Sequence, residues 1–279
     1  MLRPRLPPGP DHVVGGTRPP TYDLSYRDEF WLSRAYEDRC DRLAIRALLP
    51  AGGGHLLDLG AGFGRLVNEY HAFGAVTLVD ASPAMIEAAR ERVGPDPRFL
   101  VVAADAAHLP IPDGSVDVVV AIRLLVHFSD PSEVFREIAR VLRPGGRLIV
   151  EFPNRHHLLA SVRYLMGQQT WSPTAAQPHE YLAGHFAHQP VTIEAQLRSS
   201  GLEPDRRRAV SLFRSAQLKR LIPARLLAAF ESPLQGLLGG IAPSPSVYIR
   251  SIKSNGTTIE EVASGRERMC SSEDDRCGS

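Results

Sequence analysis

The chain has 279 residues, 43% of them hydrophobic, and a formal net charge of +1. That length suits one domain with a full apolar core, and the near-neutral balance excludes a strong overall field toward nucleic acid or an anionic membrane. Three cysteines, Cys40, Cys270 and Cys277, form no disulfide framework, and no run of about 18 apolar residues is present to span a bilayer.

Residues 1–25 are rich in Pro and Gly, and residues 254–279 are polar and rich in Ser and Gly. Both segments are expected to be flexible tails flanking a single domain over 26–253. The first residues lack the apolar core of a signal peptide, so a cytoplasmic location is expected. Lys219 and Lys253 are the only lysines; the bias toward arginine is ascribed to genome composition rather than phosphate binding.

Between the tails, strand and helix signals alternate, the pattern of an α/β domain. A first helix is expected from about Glu29 to Leu49, stopped by Pro50 and the glycines that follow. Leu56, Leu57 and Leu59 mark a short buried strand. Gly60, Gly62 and Gly64 then turn the chain, and Leu66 to Phe73 is expected to be helical. A second strand, Val76 to Val79, ends at Asp80. Ser82 caps the next helix, with Pro83 at its first position, and the helix continues to about Val93. Further strands are expected at Phe99–Ala103, Val116–Ile122 and Arg147–Phe152, with a helix from Ser132 to Leu142 and a turn at Pro144-Gly-Gly146. The block 153–190 is less regular. A helix from about Val191 to Ser200, late strands near Arg207–Leu212 and Val247–Lys253, and a helical stretch from Ser215 to Leu238 broken by Pro223 and Pro233 complete the chain.

Strand, glycine turn and helix make a place where backbone approaches a ligand closely. The Gly60-to-Asp80 spacing matches a dinucleotide fingerprint, but that motif needs a small residue where Arg65 stands. Asp58, two residues before the first glycine, is also unfavourable beside a pyrophosphate and favourable beside a cationic ligand. S-adenosylmethionine, with a sulfonium and an α-ammonium group, is such a ligand. Asp80 can accept both hydrogen bonds of a ribose diol, Asp105 can accept from an adenine amino group, and Arg123 falls at the same carboxyl edge of the sheet.

At these residues the chain resembles the class I S-adenosylmethionine-dependent methyltransferases of the broad type 11 group. The matching stretches are Leu57-Asp-Leu-Gly-Ala-Gly-Phe-Gly64, Val79-Asp-Ala-Ser-Pro-Ala-Met85, Ala104-Asp-Ala106, Leu109-Pro-Ile-Pro-Asp-Gly-Ser-Val-Asp-Val118 and Arg140-Val-Leu-Arg-Pro-Gly-Gly-Arg147. The resemblance implies a Rossmann-like, seven-stranded, mostly parallel sheet with helices on both faces and an antiparallel last strand at Ser246–Lys253. It implies S-adenosylmethionine as cofactor, with Asp58, Gly60, Ala61 and Gly62 at its methionine part. Asp80 would hold the ribose, with Ala81 near the adenine; Asp105 and Ala106 would recognise the adenine, and Arg123 would lie near the reacting end.

Methyl transfer needs alignment and exclusion of water more than a catalytic side chain. A base is needed only for an acceptor that holds its proton at neutral pH, and His127 is the candidate. The block 153–190 is expected to be a variable acceptor or lid segment, with Tyr164, Trp171, Tyr181 and Phe186 covering an acceptor. The spacing of His156, His157, His179, His185 and His188 matches no metal motif, and no metal is expected. The acceptor is expected to be a small or lipid-like molecule and not a nucleic acid, since no basic stripe accompanies the neutral charge. Two alternatives stay open: a catalytically inactive cofactor-binding or regulatory protein of the same fold, and an NAD-dependent oxidoreductase. The atom methylated and the oligomeric state are not legible in the sequence.

Overall fold

The computed structural model describes residues 30, 31 and 33–255, so most of both expected tails, with Cys270 and Cys277, lies outside the described residues. A central seven-stranded sheet is built from β1 (Gly53–Leu59), β2 (Phe73–Asp80), β3 (Phe99–Ala103), β4 (Val116–Ala121), β5 (Leu142–Pro153), β8 (Leu202–Val210) and β9 (Ser246–Lys253). A small hairpin of β6 (His179–Leu182) and β7 (His185–Ala187) stands apart. The spatial order is β3-β2-β1-β4-β5-β9-β8. The first five strands are parallel, and β9 runs antiparallel to both of its neighbours. The order reverses at β1, and open α/β sheets bind ligands at the carboxyl edge of such a switch point.

The central strands are apolar almost throughout because both faces of the sheet are covered. Along β1, β4 and β5 successive side chains enter opposite cores. Leu57, Leu59, Val119, Ala121, Leu148 and Val150 meet α3 (Ser132–Val141) and α5 (Pro190–Ser199) through Phe135, Ile138, Ile193 and Leu197. Leu56, Val118, Val120 and Ile149 meet α1 (Ala35–Leu48) and α7 (Ala224–Leu237) through Cys40, Ala44, Ile45 and Leu227. The remaining helices are α2 (Pro83–Val93), α4 (Leu158–Leu165) and α6 (Ala216–Leu221).

Several elements depart from the sequence expectation. The helix expected at Leu66–Phe73 is a single 3-10 turn, Val67–Glu69. Tyr70 and Phe73 are drawn into the second core, and β2 already begins at Phe73. β8 starts at Leu202, before the expected Arg207: its polar sequence hides a strand that backbone pairing with β9 imposes. Pro223 separates α6 from α7 as expected, but α7 runs through Pro233. Pro233 and Ala229, whose carbonyl loses its helical partner, are both exposed to water. The helix is also anchored from within by Glu231.

The Glu231 carboxylate is fully buried and accepts hydrogen bonds from the Ser211 and Leu212 N–H groups, each at 2.8 Å, from Gln235 at 3.0 Å and from the Tyr36 hydroxyl. It therefore joins α1, α7 and the end of β8, where Ser211 is held at φ +64°. Glu231→Ala leaves these donors unpaired in the core and is expected to lower stability by about 3–5 kcal/mol in urea unfolding. The control Arg136→Ala, which removes an exposed pair to Glu133, is expected to change it by less than about 1 kcal/mol.

Candidate functional site

The end of β1 and the turn beyond it form the centre of the site. Gly60, Gly62 and Gly64 adopt φ of +75°, +56° and +72°, a region closed to most side chains. A Cβ on Gly60 would also come within 3.0 Å of the Leu124 side chain, whereas one on Gly62 would meet only open space. Gly62 is thus where the turn leaves room for a ligand. The N–H groups of Gly60 and Ala61 donate to the Val79 carbonyl at 2.8 and 2.9 Å, which fastens the turn to β2.

Asp80 completes that fastening. Its half-buried carboxylate accepts from the Gly62 N–H at 2.8 Å and from the Ser82 N–H at 2.9 Å. Burial raises its pKa and these backbone donors oppose the rise. Each oxygen keeps a further lone pair for a ligand hydroxyl. Asp58 is buried at the end of β1, with the Tyr70 hydroxyl donating to it at 2.9 Å. Burial pushes its pKa up to about 7, against the Tyr70 hydrogen bond and the charge of Arg65. A buried carboxylate with so little compensation favours a cation.

A cluster of charges roofs the turn. Trp31 lies against the Arg65 guanidinium, 3.9 Å from ring centre to carbon, and 5.0 Å from that of Arg123. Arg65 pairs with Asp38 at 2.6 Å and Asp41 at 3.0 Å. Asp41, fully buried on α1, also pairs with Arg123 at 3.3 Å and accepts from the Tyr248 hydroxyl at 2.8 Å. Arg123 sits just past β4 at φ +60°, a strained conformation for a non-glycine residue, with its N–H donating to Glu151 at 3.0 Å. Trp31, Asp58, Gly60, Ala61, Gly62, Arg65 and Arg123 line a cavity of about 30 Å³. That volume holds about one water, while a nucleoside-sized ligand needs several hundred cubic ångströms. Trp31, held over Arg65 and Arg123 by cation–π contact, must therefore swing outward to admit one.

Of the residues expected from the sequence, Asp58, Gly60, Ala61, Gly62 and Arg123 line the cavity itself. Asp80, with Ala81 beside it, ends the adjacent strand, and the Ala104 N–H bonds the Asp80 carbonyl at 3.1 Å, bringing Asp105 to the next strand end. The three carboxylates therefore step across β1, β2 and β3, about 10 Å in all at ordinary strand spacing. The Asp105 carboxylate is exposed and accepts the Ala107 N–H at 2.9 Å, while Ala106 is buried in the first core.

His127, the candidate base, lies in the 3-10 turn Leu125–His127 that follows β4. Its ring meets that of His185 at 5.2 Å, and burial together with His185 pushes its pKa down to about 3. A pKa this low makes the ring neutral at pH 7 and a weak base. Its contact with His185 holds the β6–β7 hairpin over the end of β4. The hairpin gives the block 153–190 much of its order: His188 bonds the Leu125 carbonyl at 3.1 Å, and Trp171 stacks on His179 at 4.3 Å. His157 caps α4 by accepting the Ala160 N–H at 3.2 Å. Among the described residues no group of three or more His, Cys, Asp or Glu is placed to hold a metal ion. Sequence reading missed Asp38, Asp41 and Glu151, which position Arg65 and Arg123.

A seven-stranded α/β sheet with a glycine turn and strand-end carboxylates at its switch point defines a nucleoside-cofactor fold. Residues 57–150 match the family described as "Methyltransferase domain". An uncharacterized methyltransferase of Mycobacterium bovis is 39% identical over 123 residues, covering 44% of this chain and 49% of that protein. A demethylmenaquinone methyltransferase of Clavibacter sepedonicus is 34% identical over 167 residues, covering 56% of this chain and 68% of that protein. The solved structure of an S-adenosylmethionine-dependent methyltransferase from Thermotoga maritima superposes with a TM-score of 0.56 at 21% identity, over 83% of this chain and 96% of that one. The chain belongs to the class I S-adenosylmethionine-dependent methyltransferase family. It spans about half the length of the mycobacterial relative. Membership decides against the NAD-dependent oxidoreductase reading of the turn.

The donor set fits S-adenosylmethionine: an undercompensated carboxylate for its cationic groups, acceptors for the ribose, and an open Gly62. Two outcomes follow. With Trp171→Phe, Trp31 is the one tryptophan left of two, and its emission is expected to change on titration with S-adenosylhomocysteine as the side chain is displaced; an invariant spectrum at saturation contradicts the displacement. The second concerns pH. Asp58 is protonated below about pH 7 in the free protein, against an ordinary value of 3.8. A cation selects its ionised form, so affinity for S-adenosylmethionine is expected to fall with pH below about 7, by up to about tenfold per unit, with proton release in calorimetry. Asp58→Asn is expected to flatten that dependence.

Proposed function

We propose that the protein transfers a methyl group from S-adenosylmethionine to a small-molecule or lipid-like acceptor by in-line displacement. The observation that carries this reading is Asp58, a carboxylate buried at the glycine turn with a hydrogen bond from the Tyr70 hydroxyl, where burial pushes its pKa up to about 7. Bound there, the cofactor supplies an activated methyl on a good leaving group. Asp58 balances its cationic groups, and Gly60, Ala61 and Gly62 let the backbone lie against its methionine part. Asp80 accepts the ribose hydroxyls on the lone pairs left by the Gly62 and Ser82 N–H groups. Ala81, Asp105 and Ala106 bound the adenine.

Arg123, steered by Asp41 and Glu151, stands at the reacting end, and Trp31 shuts out water once the ligand is seated. The acceptor enters beneath the β6–β7 hairpin, where His127 orients without taking the proton. An acceptor already deprotonated at neutral pH, or one that gives its proton to water, suits this arrangement. A relative is named for methylating demethylmenaquinone, which supports a non-polymeric acceptor. No helix among the described residues is long and apolar enough to cross a membrane, and a cytoplasmic enzyme is the location we propose.

Cell extract incubated with the protein and isotopically labelled S-adenosylmethionine is expected to yield a labelled low-mass product by mass spectrometry. Label appearing only in nucleic acid, or nowhere, contradicts the proposal. Asp80→Ala is expected to weaken S-adenosylhomocysteine binding by roughly 1–3 kcal/mol in calorimetry, and NADH is expected not to bind. Unchanged affinity in that variant would mean that the ribose is held elsewhere.

A further inference from the structure

The carboxyl edge of the sheet carries a surface that neither the core nor the cofactor site uses. α4 leaves β5 there, α6 follows β8, and the loop 238–245 leads into β9, since Ser246 pairs with both Pro153 and Val210. The start of α4 is tied to that loop by the Leu158 N–H on the Pro243 carbonyl at 3.0 Å and by the Asn154 amide on the Ala242 carbonyl at 2.8 Å. Large apolar side chains on these elements point to water. Leu165 is 84% exposed, Leu221 82%, Ile241 74%, Met166 64% and Leu158 63%. Solvent exposure of this many large apolar groups on neighbouring elements marks an interaction surface.

Charge on the same elements has one sign. Residues 156–178 contain no Asp or Glu, and residues 206–245 contain only Glu231, which is buried. Arg163 and Arg220 are exposed, as is Arg225 at the start of α7 (Ala224–Leu237). None of the three has a carboxylate within 4.0 Å among the described residues. The net charge of +1 for the whole chain thus conceals a local segregation.

We infer that this face docks onto a bilayer surface containing anionic phospholipid. Apolar side chains enter the acyl boundary while arginines reach the headgroups, the division of labour of interfacial helices. A second copy of the chain is the poorer occupant, because a twofold contact sets the same arginines opposite one another. Docking turns the carboxyl edge, and with it the mouth above Gly60–Gly62, toward the membrane. The surface does not depend on what the turn binds.

The test is cosedimentation of the full chain with vesicles, without cofactor. Binding to phosphatidylglycerol mixed with phosphatidylcholine is expected to exceed binding to phosphatidylcholine alone by at least about tenfold and to weaken with added sodium chloride. The double variants Leu165→Asp with Leu221→Asp, and Arg220→Glu with Arg225→Glu, are each expected to lose at least about tenfold in partitioning. All four positions are exposed, so thermal melts are expected to match the unaltered chain. Failure to sediment with anionic vesicles, salt-insensitive binding, or full binding by either double variant overturns the inference. A dimer in sedimentation equilibrium that Leu165→Asp with Leu221→Asp dissolves assigns the face to a second copy and overturns it as well.

Discussion

Everything in the site depends on a backbone bend at the end of β1 being held open by an acid from the next strand. Gly60, Gly62 and Gly64 permit the bend by tolerating positive φ, but tolerance alone gives no fixed shape. The shape comes from Asp80, which accepts the Gly62 and Ser82 N–H groups, and from the Val79 carbonyl, which takes two more. The same carboxylate therefore sets the turn and offers lone pairs to a ligand. Asp58 adds a second acid nearby, and the two repel enough for Asp80 to help raise the Asp58 pKa. A polyanionic ligand would worsen that repulsion. A cationic one relieves it, which is the physical reason this turn suits an adenosyl sulfonium.

Arg65 and Arg123 could each satisfy the acids at the turn directly. Asp41 and Asp38 prevent this by drawing both guanidinium groups toward α1. Asp41 is itself locked by Tyr248, so the roof is braced across the sheet from α1 to β9. Trp31 covers the guanidinium faces in a cation–π arrangement that is individually weak, about 0.5–2 kcal/mol, and therefore able to open. Strong ion pairs fix the arginines at the rim, and a weak contact closes the door.

Much of this was legible in the sequence where signals are local. Phe99–Ala103 and Pro83–Val93 are found where periodicity and the Ser82 cap put them. The alternation of elements gave the α/β class, and the seven-stranded topology with its antiparallel last strand came from the family resemblance that the motifs carry. Local signals failed where tertiary contacts decide. Leu66–Phe73 has a helical pattern, yet its aromatic residues are buried against the sheet and leave only a 3-10 turn. β8 has a polar sequence and exists because β9 supplies its backbone partners. The part Asp41 plays was invisible because its partner Tyr248 lies 207 positions away. His127 was legible as a residue near the site, but its lowered pKa depends on burial and on His185, brought across by the hairpin.

The acceptor side and the exposed basic face share one edge of the sheet, so a membrane-docked chain would receive its acceptor from the direction of the bilayer. Cofactor binding nevertheless depends on the turn. Its most direct test is a crystal structure of the chain soaked with S-adenosylhomocysteine. The amino-acid part of that molecule is expected over Gly60–Gly62 beside Asp58, with both ribose hydroxyls on Asp80 and Trp31 displaced from the guanidinium group of Arg65. Density for the ligand away from the turn, or at the turn with Asp58 and Asp80 facing elsewhere, would contradict it.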